Sequence, residues 1–252
     1  MKIHYIFHSG FVVETDEAVL VFDYWMDPAG VMEHLAGKKK RAYVFSSHFH
    51  EDHFTKDIFR WKEDNPYTDY TYILSKDILK HRRAKKEQAD VWLAKGGTWE
   101  DDYLKVWATG SNDSGVSFIV EVEGKRLFHA GDLNNWYAKF LTPETRGKII
   151  YSEDFEEYID PEKDEKMYLG ELKDIKKIAD TFDVVFFPID GRIGNGYTLG
   201  GRQFIERFKV GLFIPMHFTA GFESAWRMKE YTEPKDIDFW SISKEGETIE
   251  IQ

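Results

Sequence analysis

His48-Phe49-His50-Glu51-Asp52-His53 sets three histidines and two carboxylates side by side. An apolar run, Ala42–Ser47, precedes it and reads as a buried strand. Thr55 to Trp61 follows with helical spacing, Ile58, Phe59 and Trp61 being apolar. The cluster therefore lies on a tight loop at the carboxyl end of a strand. On such a loop alternate residues can converge on one point, while their neighbours turn toward a second. Neutral imidazole and carboxylate are natural ligands for zinc, manganese or iron. The competing reading is an accidental solvated cluster, an arrangement that chance produces in roughly one such chain in a thousand.

One short motif seldom closes a metal site, so further ligands are sought at other strand ends. Asp132 follows Leu127-Phe128-His129-Ala130-Gly131, an apolar run whose glycine permits a sharp turn. His217 follows Phe213-Ile214-Pro215-Met216 in the same manner. Around these points the chain opens with strands at 2–7 and 10–14 and a strand Ala18–Phe22 that ends at Asp23. Tyr70–Leu74 reads as a strand, and Ser75 as the cap of the helix after it. Leu104–Ala108 is a strand, and Val116–Val122, Glu123-Gly124 and Arg126–Ala130 read as a hairpin. A helix is expected over about 166–181, with Leu169, Leu172, Ile175, Ile178 and Ala179 on one face. Val184–Phe187 is a strand, Leu199–Phe208 a helix and Leu212–Met216 a strand, with short strands near Phe239 and Ile249. Residues 141–165 are polar and irregular and read as a surface excursion or lid. No repeat or linker interrupts residues 1–252, so one α/β domain is expected, with more hairpins than a doubly wound fold contains.

Composition narrows the chemistry. The chain has 252 residues and no cysteine, which excludes disulfides, thiolate metal sites and cysteine nucleophiles. Its 45 acidic residues exceed 34 basic ones, for a net charge of -11. A nucleic-acid binder normally carries the opposite sign, and none is expected as a partner. Two basic runs, Lys38 to Arg41 and Lys80 to Lys86, read as solvated faces. No apolar run reaches the ~18 residues of a membrane helix, and the amino-terminal stretch reads as a strand rather than a signal peptide. Cytoplasmic location is the default expectation. There is no Gly-x-Ser-x-Gly elbow and no phosphate-binding Gly-x-x-x-x-Gly-Lys loop. The sequence carries no signal for oligomeric state.

The cluster at 48–53, then Gly131-Asp132, then Pro215-Met216-His217 resembles the metallo-β-lactamase superfamily. The likeness extends over nearly the whole chain and is strongest to the bacterial zinc-dependent hydrolase-like group that includes ascorbate-6-phosphate lactonase. The resemblance implies a four-layer αβ/βα sandwich with a metal site at one edge. It implies that His48 and His50 hold one ion, that Asp52, His53 and His217 hold a second, and that Asp132 bridges both. Asp52 and Asp132 would thereby be catalytic. One or two zinc ions would acidify a bound water into a hydroxide nucleophile that attacks a small ester, lactone or phosphodiester. Asp23 would orient the metal loop. His8, in His8-Ser9-Gly10, would be a supporting donor or substrate contact, or else a strand histidine satisfied by a neighbour.

One departure from the family stands out. A third histidine for the first ion belongs in the loop Thr109-Gly110-Ser111-Asn112-Asp113-Ser114-Gly115, which has none. Asp113 is the only hard anionic ligand there. As a ligand it would favour manganese or iron. As a turn residue it would leave the first site weak or empty. The departure keeps open a second class of function, a non-hydrolytic metal protein such as an iron oxidoreductase or a metabolite-binding sensor. His129 reads as a satisfied strand histidine. Arg192 reads either as a substrate-anion contact or as a surface arginine. Trp25, Phe49, Trp136, Tyr137, Phe218 and Phe222 flank the ligand positions and predict an aromatic mouth for a small-molecule substrate.

Overall fold

A computed structural model describes residues 1–35, 41–153, 156–219 and 221–251. In chain order the strands are β1 (Lys2–Phe7), β2 (Gly10–Glu14), β3 (Ala18–Phe22), β4 (Arg41–Ser46), β5 (Asp69–Ser75), β6 (Val91–Leu93), β7 (Thr98–Glu100), β8 (Leu104–Gly110), β9 (Val116–Val122), β10 (Lys125–His129), β11 (Ile150–Ser152), β12 (Glu157–Ile159), β13 (Thr181–Pro188), β14 (Lys209–Met216), β15 (Asp238–Phe239) and β16 (Thr248–Glu250). They form two seven-stranded sheets, ordered β16-β1-β2-β3-β4-β5-β6 and β15-β14-β13-β10-β9-β8-β7. A separate small hairpin pairs β11 with β12.

Alternation within each strand explains the layering. Ala18, Leu20 and Phe22 of β3 and Tyr43 and Phe45 of β4 point into the core between the sheets. Their neighbours Val19, Val21, Ala42 and Val44 point the other way, under Ile58, Ile78 and helix Val31–Leu35. Both faces of β3 and β4 are therefore covered, which is why these strands read as continuous apolar runs. Across the inter-sheet layer Phe11 meets Phe186 at 4.7 Å and Phe45 meets Phe118 at 5.3 Å between ring centroids. On the outer face of the second sheet lie helices Pro161–Lys176 and Leu199–Ile205, with Phe204 on Phe128 at 5.1 Å. Helix, sheet, sheet, helix is the expected four-layer sandwich.

Parallel pairing decides where chemistry collects. β3, β4 and β5 run parallel in one sheet, and β10, β13 and β14 run parallel in the other. Their carboxyl ends meet along one edge of the sandwich. An isolated bridge from His8 to Phe218, with the His217 amide donating to the His8 carbonyl at 3.1 Å, ties the β1–β2 turn to the end of β14.

Several expectations need correcting. The helix expected at about 166–181 spans Pro161–Lys176. Asp160 caps it, accepting the Lys163 amide at 3.0 Å, and Pro161 occupies the first turn. Ile178 lies beyond its end and is 40% exposed. The irregular stretch 141–165 thus contains the helix start and the β11–β12 hairpin. Ser75 stands at the start of helix Lys76–Lys80, but its hydroxyl makes no capping bond. Residues 38–40 of the first basic run lie outside the described residues, and Arg41 makes a two-pronged pair with Asp102 at 2.7 and 2.8 Å.

Candidate metal centre

Two four-residue clusters of ligand type occur at this edge. His48, His50, Asp113 and Asp132 form one, and His8, Asp52, His53 and His217 form the other. In each, one donor atom per residue lies within 4.8 Å of the rest. The Asp132 carboxylate stands between them. Its Oδ2 is 3.2 Å from His48 Nε2, while its Oδ1 is 3.0 Å from His53 Nε2 and 3.4 Å from His217 Nε2.

Backbone geometry brings these side chains together. Gly131, at φ +54, turns the chain after β10, and a Cβ there would press on Ser47. Gly115, at φ +63, lies against the Ser47 carbonyl and the His48 Cβ. No larger residue fits so close an approach. Val116 donates its amide to the Ser47 carbonyl at 3.0 Å. Asn112 donates to the Asn134 carbonyl at 2.9 Å and to Asp164 at 3.1 Å. The loop carrying Asp113 is therefore pinned on both sides. His8, Asp23 and His217 adopt left-handed backbone, with φ of 57, 44 and 67. Such strain in non-glycine residues concentrates at functional sites.

Hydrogen bonds behind the clusters fix the histidine tautomers. Asp23, fully buried, accepts the Ser47 amide at 2.7 Å and the Ser47 hydroxyl at 2.6 Å. That hydroxyl has spent its only proton, so at 3.0 Å it accepts from His48 Nδ1. Asp23 Oδ2 also lies 2.7 Å from His53 Nδ1, and Asp190 Oδ2 lies 3.0 Å from His217 Nδ1. An ionised carboxylate only accepts, so both Nδ1 atoms carry protons. In neutral His48, His53 and His217, Nε2 is then left with a lone pair facing Asp132. His129 is the contrast. It bonds the Ser9 carbonyl through Nε2 at 3.0 Å and receives the Gly131 amide on Nδ1 at 3.2 Å, so it has no free donor atom.

Electrostatics favour a cation here. Burial pushes His53 down, but the Asp132 and Asp23 carboxylates outweigh it and hold the imidazole well above its ordinary pKa. Burial also opposes charge on His217, and Asp132 and Asp190 raise it to about 9. Burial raises Asp132 in turn, yet His53, His48 and His217 hold it well below the carboxylate range. His8 differs. Burial dominates and lowers it to about 4, against the pull of Asp52, so it is neutral at pH 7.

The donor set fits transition metals. His8 Nε2, His53 Nε2 and Asp132 Oδ1 are buried without a hydrogen-bond partner. Such atoms are uncommon in native folds, and a cation between them would engage all three. Tetrahedral bonds of ~2.0–2.1 Å place neighbouring donors about 3.3 Å apart. Several observed spacings lie near this value: 3.0 Å from His48 Nε2 to His50 Nδ1, 3.2 Å from His8 Nε2 to Asp52 Oδ2, and the three Asp132 distances above, while His53 Nε2 stands 3.9 Å from Asp52 Oδ2.

Every residue named from sequence as a ligand falls in one of the two clusters, Asp113 included. Asp23 stands behind His53 as expected, and His129 is satisfied by neighbours. Glu51 turns outward and pairs with Arg83 at 3.2 Å. His8 is a full member of the second cluster. Ser47 and Asp190 were missed as tautomer-setting residues, although each stands at a strand end like the ligands. Arg192 grips Asp190 with 2.7 and 2.8 Å bonds, bracing the partner of His217. The aromatic mouth is smaller than expected. Trp25 lies 5.9 Å from His8 and Trp136 lies 5.0 Å from His217. Phe218 is instead buried in the core, packed with Phe222 against Tyr5, and Phe49 stacks on His81.

Comparison with known proteins accords with this geometry. The family described as "Beta-lactamase superfamily domain" matches residues 2–140. A UPF0173 metal-dependent hydrolase of Natranaerobius thermophilus is 30% identical over 139 residues, 52% of this chain and 60% of that protein. Another, from Alkaliphilus metalliredigens, is 30% identical over 145 residues and matched over 63% of its length. The chain thus spans less than two thirds of these relatives. Among solved structures, the metallo hydrolase Igni18 of Ignicoccus hospitalis superposes with a TM-score of 0.65 at 17% identity, over 100% of this chain and 99% of that one. CmlA, a diiron β-hydroxylase of Streptomyces venezuelae, gives 0.60 at 10% identity, over 99% of this chain and 54% of that one. At these identities the structures share the fold.

Proposed function

Because the chain belongs to the metallo-β-lactamase superfamily, we propose that it is a metal-dependent hydrolase acting on a small ester, lactone or phosphodiester. On this reading residues 1–252 act as one domain on a small molecule in the cytoplasm, with no nucleic-acid or membrane partner. Among the described residues no helix is long and apolar enough to cross a membrane. The observation that carries the reading is Asp132, with one carboxylate oxygen toward each cluster.

His48, His50, Asp113 and Asp132 would hold one ion, and His8, Asp52, His53, His217 and Asp132 the other. Zinc held there would lower the pKa of a water and polarise the scissile carbonyl or phosphoryl oxygen. The chain's own residues set the stage. Asp23, Ser47 and Asp190 keep the imidazole lone pairs aimed inward. Asp52, with a 34% exposed side chain, is the carboxylate nearest to arriving substrate within its cluster. Burial opposes its charge, but His8 and His53 keep it ionised, so it would orient the attacking water as a hydrogen-bond acceptor. Trp25, beside His8, and Trp136, beside His217, stand at the approach.

The test is a panel of phosphodiesters, lactones and thioesters assayed on zinc- and manganese-loaded protein. Turnover of one class that is lost in Asp132→Ala supports the reading. No turnover of any class by fully loaded protein contradicts it.

The oxygen-rich first cluster, with Asp113 where the family has histidine, favours a second reading, an iron oxidoreductase. Protein purified with bound iron and a visible absorbance band would select it. Colourless protein with esterase activity would select hydrolysis.

A further inference from the structure

Beside the metal loop lies a cavity of about 560 Å³ lined by Trp25, Glu51, Phe54, Thr55, Lys56, Arg82 and Arg83. Trp25 belongs to both places, since its ring also meets His8. Glu51 sits inside the metal loop, and Phe54, Thr55 and Lys56 directly follow it. The cavity therefore lies on the outer side of the metal loop and shares the Trp25 wall with the candidate centre.

Its charge runs against that of the whole chain. Glu51 is matched by Arg83, which leaves Lys56 and Arg82 as cations with no ion-pair partner among the described residues. In a protein of net charge -11, two unpaired cations in one cavity make a local anion-attracting field. The platform carrying Arg82 is fastened to the metal loop. Phe49 stacks on His81 with ring centroids 3.7 Å apart, the Phe49 amide donates to Asp77 at 3.3 Å, and Arg83 reaches Glu51.

A second observation is independent of charge. Helix Lys76–Lys80 ends through Arg82, whose φ is +56, with the Arg82 and Arg83 amides donating to the Leu79 and Ile78 carbonyls at 2.9 Å. Glycine is the usual residue at such a left-handed helix end. An arginine there accepts backbone strain without forming an ion pair in return. Strain of this kind is uncommon in non-glycine residues and clusters at functional sites.

We propose that this cavity is a substrate subsite for an anionic group, a carboxylate or phosphoryl set apart from the scissile bond, held by Lys56 and Arg82. Trp25 would cover the apolar stretch between that group and the metals. The Lys80 to Lys86 run, read from sequence as a solvated face, is on this account partly functional. The inference rests on the hydrolase reading and narrows its substrates to small anions.

The test has a catalytic and a binding arm. On metal-loaded protein, the 4-nitrophenyl half-ester of glutarate is compared with neutral 4-nitrophenyl butyrate. Wild type should favour the half-ester by about tenfold or more in kcat/KM. Lys56→Gln with Arg82→Gln should abolish that preference and leave the neutral ester unchanged, while Lys56→Arg keeps it. Calorimetric titration with glutarate and with propyl phosphate reads the subsite without turnover. The tighter ligand identifies the group, and the double variant should weaken it at least fivefold. Arg82→Gly should raise the melting temperature, because it relieves the strain, while weakening the same anion. Equal turnover of both esters, or anion affinity unchanged in the variants, overturns the subsite and leaves hydrolysis standing. If neither ester is turned over, ester hydrolysis fails, and the calorimetric arm still decides the subsite.

Discussion

Asp23 holds no position in either ligand cluster, yet it fixes the tautomers of two histidines. It accepts hydrogen bonds from His53 Nδ1–H and from the Ser47 hydroxyl, whose oxygen in turn accepts from His48 Nδ1–H. Asp23→Asn keeps the shape but can present an amide hydrogen to His53 Nδ1, which drives the ring toward the wrong tautomer. Supporting partners of this kind are worth roughly 10–100-fold in metal affinity. Competition with a zinc chelator should show a loss of that order, and unchanged affinity would remove Asp23 from the account. Asp113 is the other residue to probe. If it is a ligand, Asp113→Asn lowers occupancy of the first site and Asp113→His restores tight zinc, both counted as metal per chain. Unchanged occupancy in both variants assigns Asp113 to the turn. The sequence made Asp113 visible by the histidine missing from its loop. His8 was less visible, because its place depends on the left-handed backbone between β1 and β2 and on the bridge to Phe218. No local pattern announces either.

At the scale of elements, the candidate ligands sit where parallel strands end, and that arrangement was legible. Buried parallel strands are written as unbroken apolar runs, so their ends at Asp23, His48, Asp132 and His217 stand out. The helix Pro161–Lys176 was misplaced for a definite reason. Its start signal, Asp160-Pro161, lies within a charged stretch, while exposed Met167 and Ile178 blur the apolar face. Strands β6 and β7 have three residues each, too few for alternation to register. Packing between loops also escapes sequence reading, and Gly115 is the instance that matters. A methyl group there would meet the Ser47 carbonyl and His48 Cβ at a φ of +63. Gly115→Ala should therefore cost about 2 kcal/mol or more, combining left-handed strain with displacement of the metal loop. Chemical denaturation measures the stability loss, and metal counting should show weaker retention at the first site. A variant as stable as wild type would mean that the loops part easily.

For the molecule as a whole, the metal edge is where the two sheets are joined by charge as well as by apolar packing. Asp23, His48, His53 and Asp52 come from the first sheet, with His8 at its first turn, and Asp113, Asp132, Asp190 and His217 come from the second. An ion held across that edge would bind the folded state and not the unfolded chain, and so stabilise it by mass action. Chelation should lower the melting temperature by several degrees, and adding back zinc or manganese should restore it. A melting temperature indifferent to chelator would mean that the sandwich closes without metal. The most direct test of the central claim is elemental analysis of protein purified without chelator. The account predicts between one and two transition-metal ions per chain, and a chain that holds none, even after metal is added back, would contradict it.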